Sequence, residues 1–591
     1  MKSISLIAIT LAIAFSAPIS AKAQKAPNKP ANDIETGRAN PEAASGVENK
    51  KLVFAKKHMV VAANPYAASA GLEILRKGGS AIDAAIATQL VLNLVEPQSS
   101  GIGGGAFILH WDNAKSELKT YDGRERAPNA AKPDRFLLPG GRPQSFFKAV
   151  ASPQSVGVPG LLRALEKAHA EHGKLPWKDL FVPAIKLADE GFKVSPRLNK
   201  LLSGRWTQKF SPEAKAYFLN YKGKPWPIGH TLKNPAFAKT LRLIADRGAD
   251  IFYNGMIGND IVGALQLSPN SGDMTLNDMR SYQADTRPPV CVTYRTYKVC
   301  GMGPPSSGGH TVGQTLKLIE GFNLGQNPMN PNALHLIAEA EKLAYADRNR
   351  YAADPDFVAV PKGMLDARYL KSRALLIKPD KAMNKARPGL PPDVREGRFG
   401  HDATFESNGT SHVSIIDKDG RAVSMTTTIE SGFGSGHMVR GFLLNNEMTD
   451  FSFRPKDAKG TPIANRVEAA KRPRSSMAPT MVFGPEGKLR MITGSPGGSR
   501  IILYVAKSII AHIDWNANAA EASAWTNFGS RNGAFEIEPG QVINDARKTL
   551  TARGHQIRTG PMTSGTHIII IRNGIIEGGA DPRREGRALG D

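Results

Sequence analysis

Asn408-Gly409-Thr410-Ser411-His412 places a hydroxyl directly after a glycine. The Thr410 hydroxyl can attack the Gly409 carbonyl, because Gly409 adds no side-chain bulk. Hydrolysis of the resulting ester would expose the Thr410 α-amine. An α-amine has a pKa of about 7.7–8.0, so it can serve as base for its own residue's hydroxyl, as in N-terminal threonine enzymes. Alone, Asn-Gly-Thr is more often a plain turn. A second hydroxyl run follows at Thr426-Thr427-Thr428. If Ile416 pairs with Arg421 across Asp417-Lys418-Asp419-Gly420, Thr410 falls opposite Thr427 and beside Thr428. A neighbouring hydroxyl would orient the nucleophile, although threonines are also simply favoured in strands.

Other local patterns are weaker. Gly101-Ile102-Gly103-Gly104-Gly105-Ala106 fits a dinucleotide fingerprint in letters but not in context, because a helical segment precedes it and the strand-like Phe107–His110 follows. There is no phosphate-binding loop, no Gly-x-Ser-x-Gly elbow and no zinc-ligand spacing, so neither metal nor cofactor is expected. The two cysteines, Cys291 and Cys300, flank a Val/Thr/Tyr-rich stretch with Arg295-Thr296 at its centre. A two-residue hairpin turn there would set them on a non-hydrogen-bonded pair, close enough for a disulfide. Arg-Thr is a poor pair for such a turn, which leaves two free thiols in adjacent strands as the alternative.

The elements around these residues read as a mixture. Met59–Ala63 is strand-like. A helix starts at Pro65 and stops at Gly78-Gly79. A second, capped by Ser80 with Asp83 three positions on, is apolar at helical spacing and ends at Pro97. Ser155 to Glu341 reads mostly as helix, and Arg373 to Gly400 as a long basic connection. From Thr410 the texture changes: strands at 411–416, 421–428, 480–483, 488–493 and 567–572, with helix around 501–511. Strands before and after helices suggest layered α+β packing.

The bulk numbers permit a large core and exclude little. The chain has 591 residues, 41% hydrophobic, with net charge +24. That charge reads as a solvated basic surface, because no aromatic-interleaved basic stripe or helix-turn-helix accompanies it, and no nucleic-acid partner is expected. Lys2, the apolar run Ile4–Phe15 and Ala21-Lys22-Ala23 read as a cleaved signal peptide (1–23). Residues 24–50 read as a disordered leader. The expected location is periplasmic or secreted, with no membrane span once the signal is removed.

Together, the ordered motifs carry a resemblance. Thr410-Ser411-His412, the Thr-rich strand, Leu443–Phe451, Lys471–Met477 and Thr493–Arg500 are similar, in that order, to the small subunit of the γ-glutamyltransferase family. Glu96–Gly105, Asp122–Glu125, Tyr345–Arg348 and Asp354–Phe357 resemble its large subunit. The likeness runs from about Met59 to Arg583. It implies an N-terminal-nucleophile hydrolase with four αββα layers, made from one precursor cut between Gly409 and Thr410 into associated subunits (51–409 and 410–591). It implies Thr410 as nucleophile, Thr428 as its helper, and Gly497 and Gly498 as oxyanion-hole amides. Arg124, Ser475 and Ser476 would hold the substrate α-carboxylate, and Glu447 and Asp450 its α-amine. The implied reaction cleaves γ-glutamyl amides such as glutathione and passes the acyl group to water, amino acids or peptides. One position departs: relatives acting on glutathione often have Asn where Glu430 stands, and the 450–475 loop lacks the tyrosine a lid often offers, so a more open site is expected. Alternatives are a cephalosporin or glutaryl acylase, a poly-γ-glutamate-processing enzyme and, remotely, a non-catalytic envelope-binding protein.

Overall fold

The computed structural model describes residues 44–267 and 271–591. The signal peptide and most of the leader (24–43) therefore lie outside the described residues. Residues 44–50 are the described part of the expected leader. They lack regular structure but are tied to the far end of the chain: the Ser45 and Glu48 amides donate to Arg583 O and Pro582 O at 3.0 Å each, and Lys50 Nζ donates to Gly586 O at 2.6 Å.

Two seven-stranded sheets form the centre. In chain order their strands are β1 (Val53–Ala55), β2 (Met59–Ala62), β3 (Gly105–Asp112), β4 (Glu117–Gly123), β5 (Asp285–Thr286), β6 (Val290–Tyr294), β7 (Tyr297–Gly301), β8 (Gly409–Ile416), β9 (Ala422–Glu430), β10 (Thr480–Phe483), β11 (Leu489–Gly494), β12 (His567–Arg572), β13 (Ile575–Ala580) and β14 (Arg587–Gly590). The first sheet runs β14-β2-β8-β9-β3-β4-β5, and the second β1-β13-β12-β11-β10-β7-β6.

Strand periodicity assigns the two faces of the first sheet. Val60, Ala62, Ile108, Val413, Ile415, Val423 and Met425 face helices α1 (Pro65–Arg76), α2 (Ala81–Val95) and α3 (Leu161–His172). Met59, Val61, Phe107 and Leu109 face the second sheet. The far side of that sheet is covered by α4 (Gly308–Ile319), α5 (Pro331–Tyr351) and α6 (Ile501–Trp515). Alternate residues of a strand point to opposite faces, so a strand apolar on both must be covered on both. The result is a four-layer αββα sandwich. α2 is buried along its whole length, and its expected cap is complete: the Asp83 amide donates to Ser80 Oγ and the Ser80 amide to Asp83 Oδ2.

The cysteine hairpin forms as counted. Tyr294 pairs with Tyr297 and Cys291 with Cys300, and the sulfurs are bonded across a Cα separation of 4.1 Å. The unsuitable turn is held from outside. Arg295 adopts φ +55°, while its amide donates to Glu320 Oε1 at 2.8 Å and its guanidinium to Asp514 Oδ1 at 3.0 and 3.1 Å.

Candidate active site

Thr410 lies at the second position of β8, in the middle of the first sheet. The expected register is off by one. Asp417 N donates to Arg421 O and Gly420 N to Asp417 O, leaving a three-residue loop with Gly420 at φ +76°. A left-handed glycine closing a short loop is a common hairpin form. Ile416 therefore pairs with Ala422, and Thr410 with Thr428 rather than Thr427; Thr427 faces Ser411. The correction puts Thr428, the expected helper, directly across from Thr410, the expected nucleophile.

The two hydroxyls are buried and ordered. Thr410 is 4% and Thr428 3% exposed, and Thr410 Oγ1 donates to Thr428 Oγ1 at 3.5 Å. Thr428 Oγ1 accepts from the Glu430 amide at 2.8 Å and donates to the Gly409 carbonyl at 2.7 Å. That carbonyl belongs to the bond expected to break. A Cβ on Gly409 would lie 2.5 Å from Glu430 O, so only glycine fits where the register shifts. The glycine run near residue 103 backs this strand: a Cβ on Gly104 would meet Thr428 O at 2.0 Å. Its role is close packing, not phosphate binding.

Gly498 has φ +56° and starts the turn that leads into α6. A Cβ there would lie 2.0 Å from Ser407 O. Gly498 thus packs against the chain entering Thr410, at a helix N-terminus where the dipole favours negative charge. Gly497, at φ +139°, packs against the Tyr504 ring instead, where a Cβ would come within 2.6 Å.

The expected substrate groups meet, but they bind one another. Arg124 is buried between Glu447 and Asp450, with Nη2 donating to Asp450 Oδ2 at 2.6 Å and to Arg474 O at 2.9 Å, and Nη1 paired with Glu447. Burial pushes Glu447 and Asp450 well above the usual carboxylate range, against the pull of Arg124. Asp450 Oδ1 is buried with no hydrogen-bond partner among the described residues. Glu447 Oε2 is likewise buried without a partner among the described residues, so the two carboxylates together offer acceptors of the kind an ammonium needs. Glu430 is pushed up to about 7 by burial and by Glu447. Its Oε1 accepts from the Ser407 amide at 2.9 Å, and its Oε2 from Ser431 Oγ at 2.6 Å and from Asn446. Ser475 and Ser476 both reach the site; Ser475 Oγ accepts from the Met477 amide at 3.1 Å.

Three residues were missed as site members: Glu406, Arg348 and Arg474. Ser476 Oγ donates to Glu406 Oε2 at 2.5 Å, and both arginines bond Glu406 Oε1. Arg348 and Arg474 lie within the resembling motifs, but no spacing rule places them beside residue 406. The cavity at Thr410 holds only about 20 Å³, room for about one water, because residues 406–409 fill it. The closure in the uncut chain comes from residues 406–409 and not from the 450–475 loop, which lines a neighbouring cleft. That cleft, of about 1000 Å³, is lined by Phe146, Phe147, Phe405 and Phe453.

A buried threonine after a glycine, central in the inner sheet of an αββα sandwich, defines the N-terminal-nucleophile hydrolase class. The sequence profile of the gamma-glutamyltranspeptidase family matches residues 67–591, and the chain belongs to that family. The glutathione hydrolase proenzyme of Bacillus subtilis (strain 168) is 37% identical over 596 residues, covering 98% of this chain and 96% of the relative. That of Escherichia coli (strain K12) is 37% identical over 562 residues, covering 92% and 93%. Among solved structures, cephalosporin acylase from Bacillus halodurans superposes with TM-score 0.81 at 26% identity, covering 93% of this chain and 99% of that one. Helicobacter pylori gamma-glutamyltranspeptidase gives TM-score 0.54 at 32% identity, covering 59% of this chain and 99% of that one.

Proposed function

We propose that the chain cuts itself before Thr410 and then hydrolyses or transfers γ-glutamyl groups from glutathione and related amides. The observation that carries this reading is the Thr410–Thr428–Gly409 arrangement. The Thr410 hydroxyl attacks the Gly409 carbonyl carbon while the Thr428 hydroxyl, 2.7 Å from the carbonyl oxygen, stabilises the developing oxyanion. The C–N bond breaks, the departing nitrogen takes up the hydroxyl proton, and an ester joins Gly409 to Thr410 Oγ1. Water cleaves that ester, giving a Gly409 carboxylate, the Thr410 hydroxyl and a free Thr410 α-amine.

In the cut enzyme the α-amine takes the Thr410 hydroxyl proton as Oγ1 attacks a γ-glutamyl carbonyl. The leaving amine departs protonated, and the γ-glutamyl-Thr410 ester passes to water or to an amino group. The Gly498 amide, with Gly497 beside it, is assigned to the oxyanion. Asp450 Oδ1 is assigned to the substrate ammonium, with Glu447 and Glu430 close by. Subunits 51–409 and 410–591 act together on small substrates. The signal-like start and the Cys291–Cys300 bond support an oxidising, periplasmic or secreted location.

The test is incubation of purified protein with glutathione, a γ-glutamyl anilide and a glutaryl amide, with a Thr410→Ala control. Turnover of the two γ-glutamyl compounds, a new N-terminus at Thr410, and an uncut, inactive control are expected. A fully active protein that stays one chain would refute the mechanism, and preference for the glutaryl amide would favour the acylase reading.

A further inference from the structure

The segment before Thr410 is held at three of its four last residues by groups expected at the active site. Ser476 holds the Glu406 carboxylate, the Glu430 carboxylate holds the Ser407 amide, and the Thr428 hydroxyl holds the Gly409 carbonyl. The strongest grip is on Glu406. Its Oε1 accepts from Arg474 Nε and Nη2 at 3.3 and 3.1 Å, and from Arg348 Nη2. Its Oε2 accepts from Ser476 Oγ at 2.5 Å, and Arg348 Nη2 donates to that same oxygen of Ser476 at 2.5 Å.

The pocket is built without the segment it holds. Arg348 rises from α5 and is steadied by Ser307 Oγ and Asn349 Oδ1, both at 2.9 Å. Arg474 and Ser476 lie on the chain before β10, where the Arg474 amide donates to Asn465 Oδ1 at 2.9 Å. Arg474 is 1% exposed, Arg348 4% and Ser476 4%. Two guanidiniums and a hydroxyl converging in a buried space suit a carboxylate, the guanidinium fork especially. The second anion on Arg474, Asp402 at 2.8 Å, belongs to the same segment. Arg124, by contrast, is matched by Glu447 and Asp450, which lie outside residues 402–409.

We propose that Arg348, Arg474 and Ser476 form a carboxylate subsite, filled by Glu406 in the intact chain to fix the register of self-cleavage and by a substrate carboxylate after the cut. The inference rests on Thr410 being the nucleophile. Glu406 is then a positioning residue: it touches no reacting atom but holds the scissile carbonyl against Thr428. Arg348 and Arg474 become specificity-determining residues, in addition to the serine pair.

The first test follows self-cleavage of purified Glu406→Ala over time by denaturing electrophoresis. Misplacing a reacting group by about 1 Å costs about 100-fold, and slowing of that order is expected. Added acetate should restore the rate saturably by filling the pocket, whereas acetamide, of similar shape without charge, should not. Cleavage at the wild-type rate, or equal rescue by acetamide, overturns the proposal. Should Glu406→Ala fail to fold, Glu406→Gln keeps the shape and is still expected to cut slowly; wild-type cutting by that variant overturns the register role. The second test measures Arg474→Gln per cut molecule, against a γ-glutamyl anilide and its 4-aminobutyryl counterpart, which lacks the α-carboxylate. A rise in KM of about tenfold, one charged contact's worth, is expected for the first compound only, with kcat little changed. Equal effects on both compounds, or none, overturn the substrate role. A wild-type chain that neither cuts nor turns over the anilide would instead sink the reading of Thr410.

Discussion

At the scale of residues, the site is a set of buried charges that need one another. Arg124 neutralises two carboxylates that burial has already pushed toward their protonated forms. Removing one partner of such a group costs about 3–5 kcal/mol. Arg124→Ala is therefore expected to lower unfolding free energy by that amount in denaturant titration, and to cut kcat/KM by about two orders of magnitude. An unchanged midpoint would show that Glu447 and Asp450 do not depend on it. Glu430 is one of several buried carboxylates, with Glu125, Glu447 and Asp450, that contribute to the pH dependence. Its usual value of 4.5 rises to about 7 on folding, so the folded chain favours its protonated form. That contribution is full below about 4.5 and is lost as pH rises through about 7. In the uncut Thr410→Ala protein, stability should decline over this window, and Glu430→Gln should flatten the decline. Identical pH profiles for the two proteins would assign the titration to other groups.

At the scale of elements, the β8–β9 hairpin sets the chemistry through its register. Gly420 closes a three-residue loop, and that one feature brings Thr428 rather than Thr427 across from Thr410. A one-residue slip in a strand exchanges the faces of every side chain. Between the sheets the same strands are fastened by polar contacts: Ser414 Oγ donates to His567 O and Ser424 Oγ to Thr493 O, each at 3.0 Å. The Cys291–Cys300 hairpin sits at the far edge of the second sheet, away from the hydroxyls. A bridge closing so short a loop contributes about 2–3 kcal/mol. A Cys291→Ala/Cys300→Ala protein should lose about that much stability and keep wild-type turnover. Two free thiols per chain in the denatured, unreduced protein would contradict the bond, and a large loss of turnover would contradict its purely structural role.

At the scale of the whole molecule, the cut would not separate the halves. The two strands that follow residue 409 lie between β2 and β3, both from the earlier part of the chain. The second sheet is interleaved in the same way, with β13, β12, β11 and β10 between β1 and β7. Parting the pieces would break ladder hydrogen bonds on both sides of β8 and β9 and open both hydrophobic layers. The cut protein is expected to elute as one species in native size-exclusion chromatography and to give two chains only in denaturant. Separation in native buffer would contradict this account of the sheets.

Some of this was legible in the chain itself. Gly409-Thr410, the Ser80 cap, the Arg295-Thr296 hairpin and the ordered motifs are local or collinear features, and sequence order preserves them. The alternation of apolar residues marked the strands as well, because side-chain period follows from backbone geometry alone. The pairing of Thr410 with Thr428 depended on how one glycine closes a loop, and because both strands are buried along their whole length their burial pattern alone does not choose the register. The groups gripping Glu406 come from α5 and from the segment before β10, 58 and 68 residues away from it for the two arginines. Long-range convergence of charges leaves no periodic trace. Their burial, their mutual neutralisation and the closed state of the cavity therefore belong to the tertiary structure, which removes water from them and so forces each charge to find a partner.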